Sequence, residues 1–182
     1  MRKLLCALSV MGALVFAVAV YAAAPGNFAG TWTLDKSKSQ GLNPRMQNAE
    51  SVSWVITQTD KEITIEEKIT NANPPAGAPA GGGGGGRGMG MGMGGPRTFN
   101  LDGSETSADM GGRGKVVRKA TVSGDGKTLD LSSKSTFEGP NGEVTLTTSE
   151  KLQLSGDGKS LTVTRHSESP RGPQDSTLVF NK

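Results

Sequence analysis

From Phe28 onward the chain repeats with a period of two. In Phe28-Ala29-Gly30-Thr31-Trp32-Thr33-Leu34 every second residue from Phe28 is apolar or glycine. The same alternation recurs at Val52, Trp54 and Ile56, and at Ile63, Ile65 and Ile69. Later it returns at Leu129 and Leu131, Val144 and Leu146, Leu152 and Leu154, Leu161 and Val163, and Leu178 and Phe180. Thr, Ser, Lys, Asp and Gln fill most of the positions between. Short runs of apolar-in, polar-out alternation are strands with one wet face, because successive side chains on a strand point to opposite sides. β-branched Thr between the apolar positions suits a pleated surface better than a helix. No segment past residue 22 sustains a 3.6-residue period over three turns, and Gly41–Glu50 has room for one short helical turn.

The connections are hairpin turns. Thr59-Asp60-Lys61-Glu62, Ser123-Gly124-Asp125-Gly126-Lys127 and Ser155-Gly156-Asp157-Gly158-Lys159 each separate two alternating runs, and Gly and Asp tolerate the positive φ that tight hairpins need. The last two are near-duplicates, with Val122–Leu131 matching Leu154–Val163 at an offset of 32 residues. Each offers a single carboxylate and no bidentate Glu, too few ligands for calcium. Eight or nine antiparallel strands are expected in all. With almost every connection short, an up-and-down barrel is favoured over a sandwich, which needs long Greek-key crossings.

Two stretches fall outside this pattern. Residues 1–22 read as a signal peptide: Arg2 and Lys3 are followed by the apolar run Leu4–Val20 and then by small residues. Cleavage after Ala22 places Ala22 and Val20 at the −1 and −3 positions, so the mature chain is expected to start near Ala23; the alternative is an uncleaved anchor. Cys6 lies at the start of the apolar run, which argues against lipoprotein attachment. The whole chain carries 20 Lys+Arg against 17 Asp+Glu, and losing Arg2 and Lys3 leaves 18 against 17. The basic balance is therefore largely a targeting feature, and nothing in it calls for nucleic acid. The only cysteine leaves with the signal, so the remaining domain, residues 23–182, has no disulfide, thiolate metal site or thiol nucleophile. The second stretch, residues 73–96, contains six consecutive glycines, Gly81–Gly86, and three Gly-Met steps. It has little to bury against a large ordering entropy, so it is expected to be a disordered insertion between two strands of one domain.

The opening strand carries a resemblance. Gly30-Thr31-Trp32 resembles the Gly-x-Trp signature of the lipocalin and calycin barrels. The wider phrase from Phe28 to Ser39 is similar to the opening of an exported bacterial family of lipocalin-like proteins of unknown function. That family's Leu-Ser-x-Asp-Gly-Lys-x-Leu-x-Val phrase is matched by Leu154–Val163. The resemblance covers most of the mature chain. It implies an all-β meander closing into a barrel whose Trp, here Trp32, closes one end. It brings no ligand with it.

Catalytic chemistry is sparse. The sole histidine, His166, stands at the outward parity of its strand, and no Ser has a nucleophile-elbow context. One histidine without cysteine does not make a zinc site. No enzyme activity and no cofactor are expected. Polar residues at inward parity are more informative. Ser133 and Ser135 share parity with Leu129, Leu131 and Phe137, and Thr148 and Glu150 follow Val144 and Leu146. Arg165 follows Leu161 and Val163, Glu67 lies between Ile65 and Ile69, and Arg118 shares parity with Val116 and Ala120. Charges facing a barrel interior must be paired to be tolerated, and they give a greasy pocket a polar end. A bulge, or a place at the barrel mouth, would leave the same residues in water.

The candidate ligand-binding set is thus Arg165, Glu150, Arg118 and Glu67, with Trp32, for a small, partly polar organic molecule. With the Ser155–Lys159 hairpin taken as symmetric about Asp157, Arg165 falls opposite Ser149 and beside Glu150; a one-residue shift would set it opposite Glu150. Two alternatives stand beside this reading. Met89, Met91 and Met93 supply soft thioethers for copper sequestration as Cu(I), and a purely structural envelope module needs no ligand. No membrane span is expected after signal cleavage, and the pattern sets no oligomeric state.

Overall fold

Alternation becomes ladder along nearly the whole of the chain. The computed structural model describes residues 26–71, 95–112, 114–139 and 142–182. Its strands are β1 Gly30–Leu34, β2 Ala49–Gln58, β3 Glu62–Asn71, β4 Arg97–Asn100 and β5 Thr106–Asp109, then β6 Gly114–Val122, β7 Thr128–Gly139, β8 Gly142–Leu154, β9 Ser160–Ser169 and β10 Gly172–Asn181. All ten form one antiparallel sheet in the order β4-β3-β2-β1-β10-β9-β8-β7-β6-β5. First and last strands pair, so the sheet curls into a nearly closed barrel whose break falls between β4 and β5. There the Thr106 hydroxyl donates to the Thr98 carbonyl at 3.1 Å in place of a ladder.

The up-and-down meander is the one the alternation implies, with ten strands rather than eight or nine. β5 is the strand with no sequence signal: Thr-Ser-Ala-Asp has no apolar alternation, and its last three residues are exposed. The single helix among the described residues, α1 Pro44–Asn48, occupies the Gly41–Glu50 segment. Asn43 caps it by accepting the Met46 amide at 2.9 Å, and Pro44 opens its first turn, where its missing N–H costs nothing. Met46 is buried, so this short turn lies across one end of the barrel.

The two ends of the barrel differ. One end gathers the tight turns. In the Ser123–Thr128 turn the Asp125 carboxylate accepts from the Ser123 hydroxyl at 2.5 Å and the Lys127 amide at 3.0 Å. Asp157 repeats this with Ser155 at 2.6 Å and Lys159 at 3.1 Å. Gly126 and Gly158, at φ +70° and +68°, supply the left-handed residue each turn needs. These loops hold four residues between the closing pair, so the β8–β9 hairpin is centred between Asp157 and Gly158. Symmetry about Asp157 is therefore wrong by one residue: Ser149 pairs with His166, and Glu150 pairs with Arg165. Toward this end Phe28, Trp32, Ile56, Ile63, Phe99, Leu129, Leu152, Leu161 and Phe180 form a dry core. The other end carries α1 and the loops that follow β3, β5, β7 and β9. Phe137, grouped with the inward apolar residues by parity, lies on this side and is only half-buried.

Residues 1–22, read as a signal peptide, and all of 73–96 except Gly95 and Pro96 lie outside the described residues. So do Met89, Met91 and Met93, and with them the copper reading.

Candidate functional site

At the α1 end the barrel encloses a cavity of about 240 Å³. Its walls come from inward positions of β3, β4, β6, β7, β8 and β9. Ile69, Val116 and Leu146 are its apolar lining, with Met46 of α1 and Met110 added from the rim. Ser133, Ser135, Thr148 and Ser167 supply hydroxyls, and those of Thr148 and Ser167 lie 3.3 Å apart. Glu67, Arg97, Arg118 and Arg165 supply charge.

The cavity's floor is ionic. Glu150 is 3% exposed, the only buried charged residue among those described. Its two oxygens are divided between two strands: Arg97 of β4 donates to Oε2 at 2.5 Å, while Arg165 of β9 reaches Oε1 through Nε at 2.8 Å and through a terminal nitrogen at 2.7 Å. The Arg165 contact follows from register, since Glu150 and Arg165 are cross-strand partners. The Arg97 contact crosses the barrel interior. Burial alone would raise the Glu150 pKa, but the two guanidiniums outweigh it and hold the group below the carboxylate range, at about 2. Glu150 is therefore ionised and a poor base.

Beneath these groups lies Trp54. The guanidinium carbons of Arg97 and Arg165 stand 5.4 and 5.7 Å from its ring centroid, within cation–π range. Its indole N–H donates to Glu67 at 3.2 Å, and its ring contacts Phe180 with centroids 4.8 Å apart. Trp54 thus joins the dry core to the polar floor, and its one polar atom is satisfied.

Arg118 stands apart. It projects from β6 opposite Ser133 of β7 and Thr106 of β5. Its Nε is buried with no hydrogen-bond partner, and the side chain forms no ion pair among the described residues. Desolvation lowers its pKa, and the like charge of Arg97 adds to the effect.

Four of the five candidates from inward parity, Arg165, Glu150, Arg118 and Glu67, meet at this end. Trp32 is the correction. It is fully buried toward the opposite end, donates from its indole to the Phe28 carbonyl at 2.8 Å, and lies under the Lys182 ammonium at 4.8 Å. It does not line the cavity. Arg97 and Trp54 were missed as site residues, although both carry the parity signal: Arg97 is two residues before Phe99, and Trp54 lies between Val52 and Ile56. His166 is on the outer face as expected, with Nδ1 2.7 Å from Asp175 and Nε2 3.6 Å from Glu168. The described residues contain no cluster of three His, Cys, Asp or Glu able to hold a metal, and no helix long and apolar enough to cross a membrane.

No protein-family model matches the chain, and no curated protein matches it in sequence. Among solved structures it is similar to zebrafish ileal bile acid-binding protein complexed with cholic acid, at 15% identity and a TM-score of 0.45, over 85% of this chain and 98% of that one.

Proposed function

We propose that this chain is an exported, non-enzymatic binding protein that takes a small, partly polar organic molecule into the cavity at the α1 end of its barrel. The observation that carries the reading is the cavity's composition: the apolar side chains of Ile69, Val116 and Leu146 stand among hydroxyls and guanidiniums held in fixed positions by the ladders. Apolar lining with a few placed polar groups is the usual makeup of small-molecule sites, and a volume near 240 Å³ suits a compact ligand. A non-catalytic role fits the same geometry. Glu150 has both oxygens engaged by arginines, and Glu67 accepts from Trp54, so neither is poised to move protons. Export rests on the apolar run after Arg2 and Lys3.

The test is saturable binding of a neutral fluorescent probe, N-phenyl-1-naphthylamine, to the purified protein. Binding that disappears in Leu146→Trp, with the β-sheet dichroism unchanged, supports the reading. A probe that does not bind, or that binds the filled variant equally well, refutes it. Amino-terminal sequencing of the secreted chain is expected to start at Ala23, and retention of Met1 would refute cleavage.

A further inference from the structure

Every Asp and Glu of the chain lies among the described residues, because residues 1–25, 72–94, 113 and 140–141 contain none. The carboxylates available to the cavity can therefore be counted completely. Arg45 at the rim and Arg97, Arg118 and Arg165 within it face Glu67 and Glu150. Glu150 is divided between Arg97 and Arg165, and Glu67 is engaged by the Trp54 indole. Without Arg45, which is at the rim, three guanidiniums stand against two carboxylates among the described residues, an excess of one positive charge. That excess has an address. Arg118 alone of the three inner arginines has no carboxylate, and its buried Nε donor has no hydrogen-bond partner among the described residues.

A part-buried guanidinium whose Nε is buried without a hydrogen-bond partner is destabilising in the empty protein, and Arg97 aggravates it by repulsion. A cationic ligand would add to that repulsion. A neutral ligand would leave at least part of the guanidinium unpaired. An anionic group matches both the charge and the fork of donors that a guanidinium presents. In the same cavity Ile69, Val116 and Leu146 offer that ligand a place for an apolar body.

On this basis, and resting on the reading of the cavity as a ligand site, we infer that the ligand is a singly charged anionic amphiphile whose head group is bound by Arg118. The head group is a carboxylate or another oxyanion of single charge, and the body is a short alkyl or compact ring system.

The experiment is displacement of N-phenyl-1-naphthylamine by ligands that share a ten-carbon chain and differ in head group: decanoate, decanesulfonate, decyl phosphate, decanol and protonated decylamine. Decanoate or decanesulfonate is expected to bind at least tenfold more tightly than decanol, the scale of a hydrogen bond to a charged group, and decylamine most weakly. The ranking of the two monoanions identifies which oxyanion the site takes, and decyl phosphate tighter than both would overturn the single-charge assignment. In Arg118→Met the monoanions are expected to lose their preference over decanol. This substitution removes an unsatisfied charge, so the fold is expected to survive it, and the wild-type preference is in any case an independent readout. If the neutral probe binds but decanol equals the monoanions, the anion assignment fails while the cavity reading stands. If the preference survives in Arg118→Met, the assignment to Arg118 is wrong. If neither the probe nor any of the five ligands binds, both readings fall.

Discussion

Glu150→Gln isolates the ionic floor with almost no change in shape. The carboxylate's pKa falls from 4.5 to about 2 in the folded chain, a preference for the ionised form of roughly 3 kcal/mol at ~1.4 kcal/mol per pKa unit. Its side chain is 2% exposed, whereas those of Arg97 and Arg165 are 17% and 19% exposed and can recover some hydration when the partner is lost. The expected loss of stability at pH 7 is therefore about 3 kcal/mol, the low end of the range for breaking a buried pair. Arg97 and Arg165 are at comparable distances, so each accounts for about half. A double-mutant cycle of Glu150→Gln with Arg165→Met, read by urea unfolding, is expected to give a coupling of roughly 1–2 kcal/mol. The pH dependence has a fixed sign. A carboxylate whose folded pKa is lowered contributes stability above its unfolded pKa and loses it as pH falls through about 2. The gap between wild type and Glu150→Gln should thus be full at pH 7 and narrow steadily below pH ~4. A coupling under about 0.5 kcal/mol, the limit of ordinary additivity, would refute the buried pair, and so would a gap independent of pH.

Arg118→Met is expected to stabilise the ligand-free protein by about 1 kcal/mol, because it replaces an unpaired, part-buried cation with an apolar chain of similar length; a lower urea midpoint would contradict the absence of a partner. Trp32→Ala is expected to cost about 3–5 kcal/mol while leaving probe binding at the α1 end intact in the folded fraction, and a selective loss of binding would return Trp32 to the site. His166 should titrate above its ordinary value because it hydrogen-bonds the Asp175 carboxylate, so it stabilises the fold below its unfolded pKa and ceases to do so as pH rises through the folded one. An NMR titration in which Asp175→Asn leaves that pKa unmoved would show that the contact does not form.

Parity made much of the site legible because it is a local property. Knowing that Ile65 and Ile69 point inward is enough to turn Glu67 inward, and the same step finds Arg118, Glu150 and Arg165 without any three-dimensional information. What parity cannot supply is depth along the barrel axis. Trp32 and Trp54 have equal claims by alternation, and they are directly paired across β1 and β2. Yet the Trp54 side chain reaches the polar floor, and the Trp32 side chain fills the core toward the tight turns. The difference lies in which cross-strand neighbours each ring meets, and that depends on long-range register. Register also explains the one-residue error in the β8–β9 hairpin, since the loop holds four residues between Ser155 and Ser160 and so centres the hairpin between two residues rather than on Asp157. β5 was invisible for another reason. Three of its four side chains face water, and its pairing with β6 is fixed by position in the meander rather than by any apolar pattern of its own.

The arrangement of the floor suggests why a carboxylate is buried there at all. Apolar residues in place of Arg97, Glu150 and Arg165 would pack at least as well, and buried ion pairs are poor sources of net stability. Glu150 does something an apolar residue cannot: it cancels one of the two guanidiniums that overhang Trp54 and holds both in place by hydrogen bonds on opposite sides of the carboxylate. Without it, the cavity would present three inner cations against Glu67 alone, a field that would favour dianions or small inorganic anions over a single head group. With it, the excess is one charge, located at Arg118. On this argument Glu150 sets selectivity rather than strength: Glu150→Gln, in the fraction that remains folded, should bind decyl phosphate more tightly relative to decanoate than the wild type does. An unchanged ratio would mean that Arg118 alone sets the preference and that the floor is purely structural.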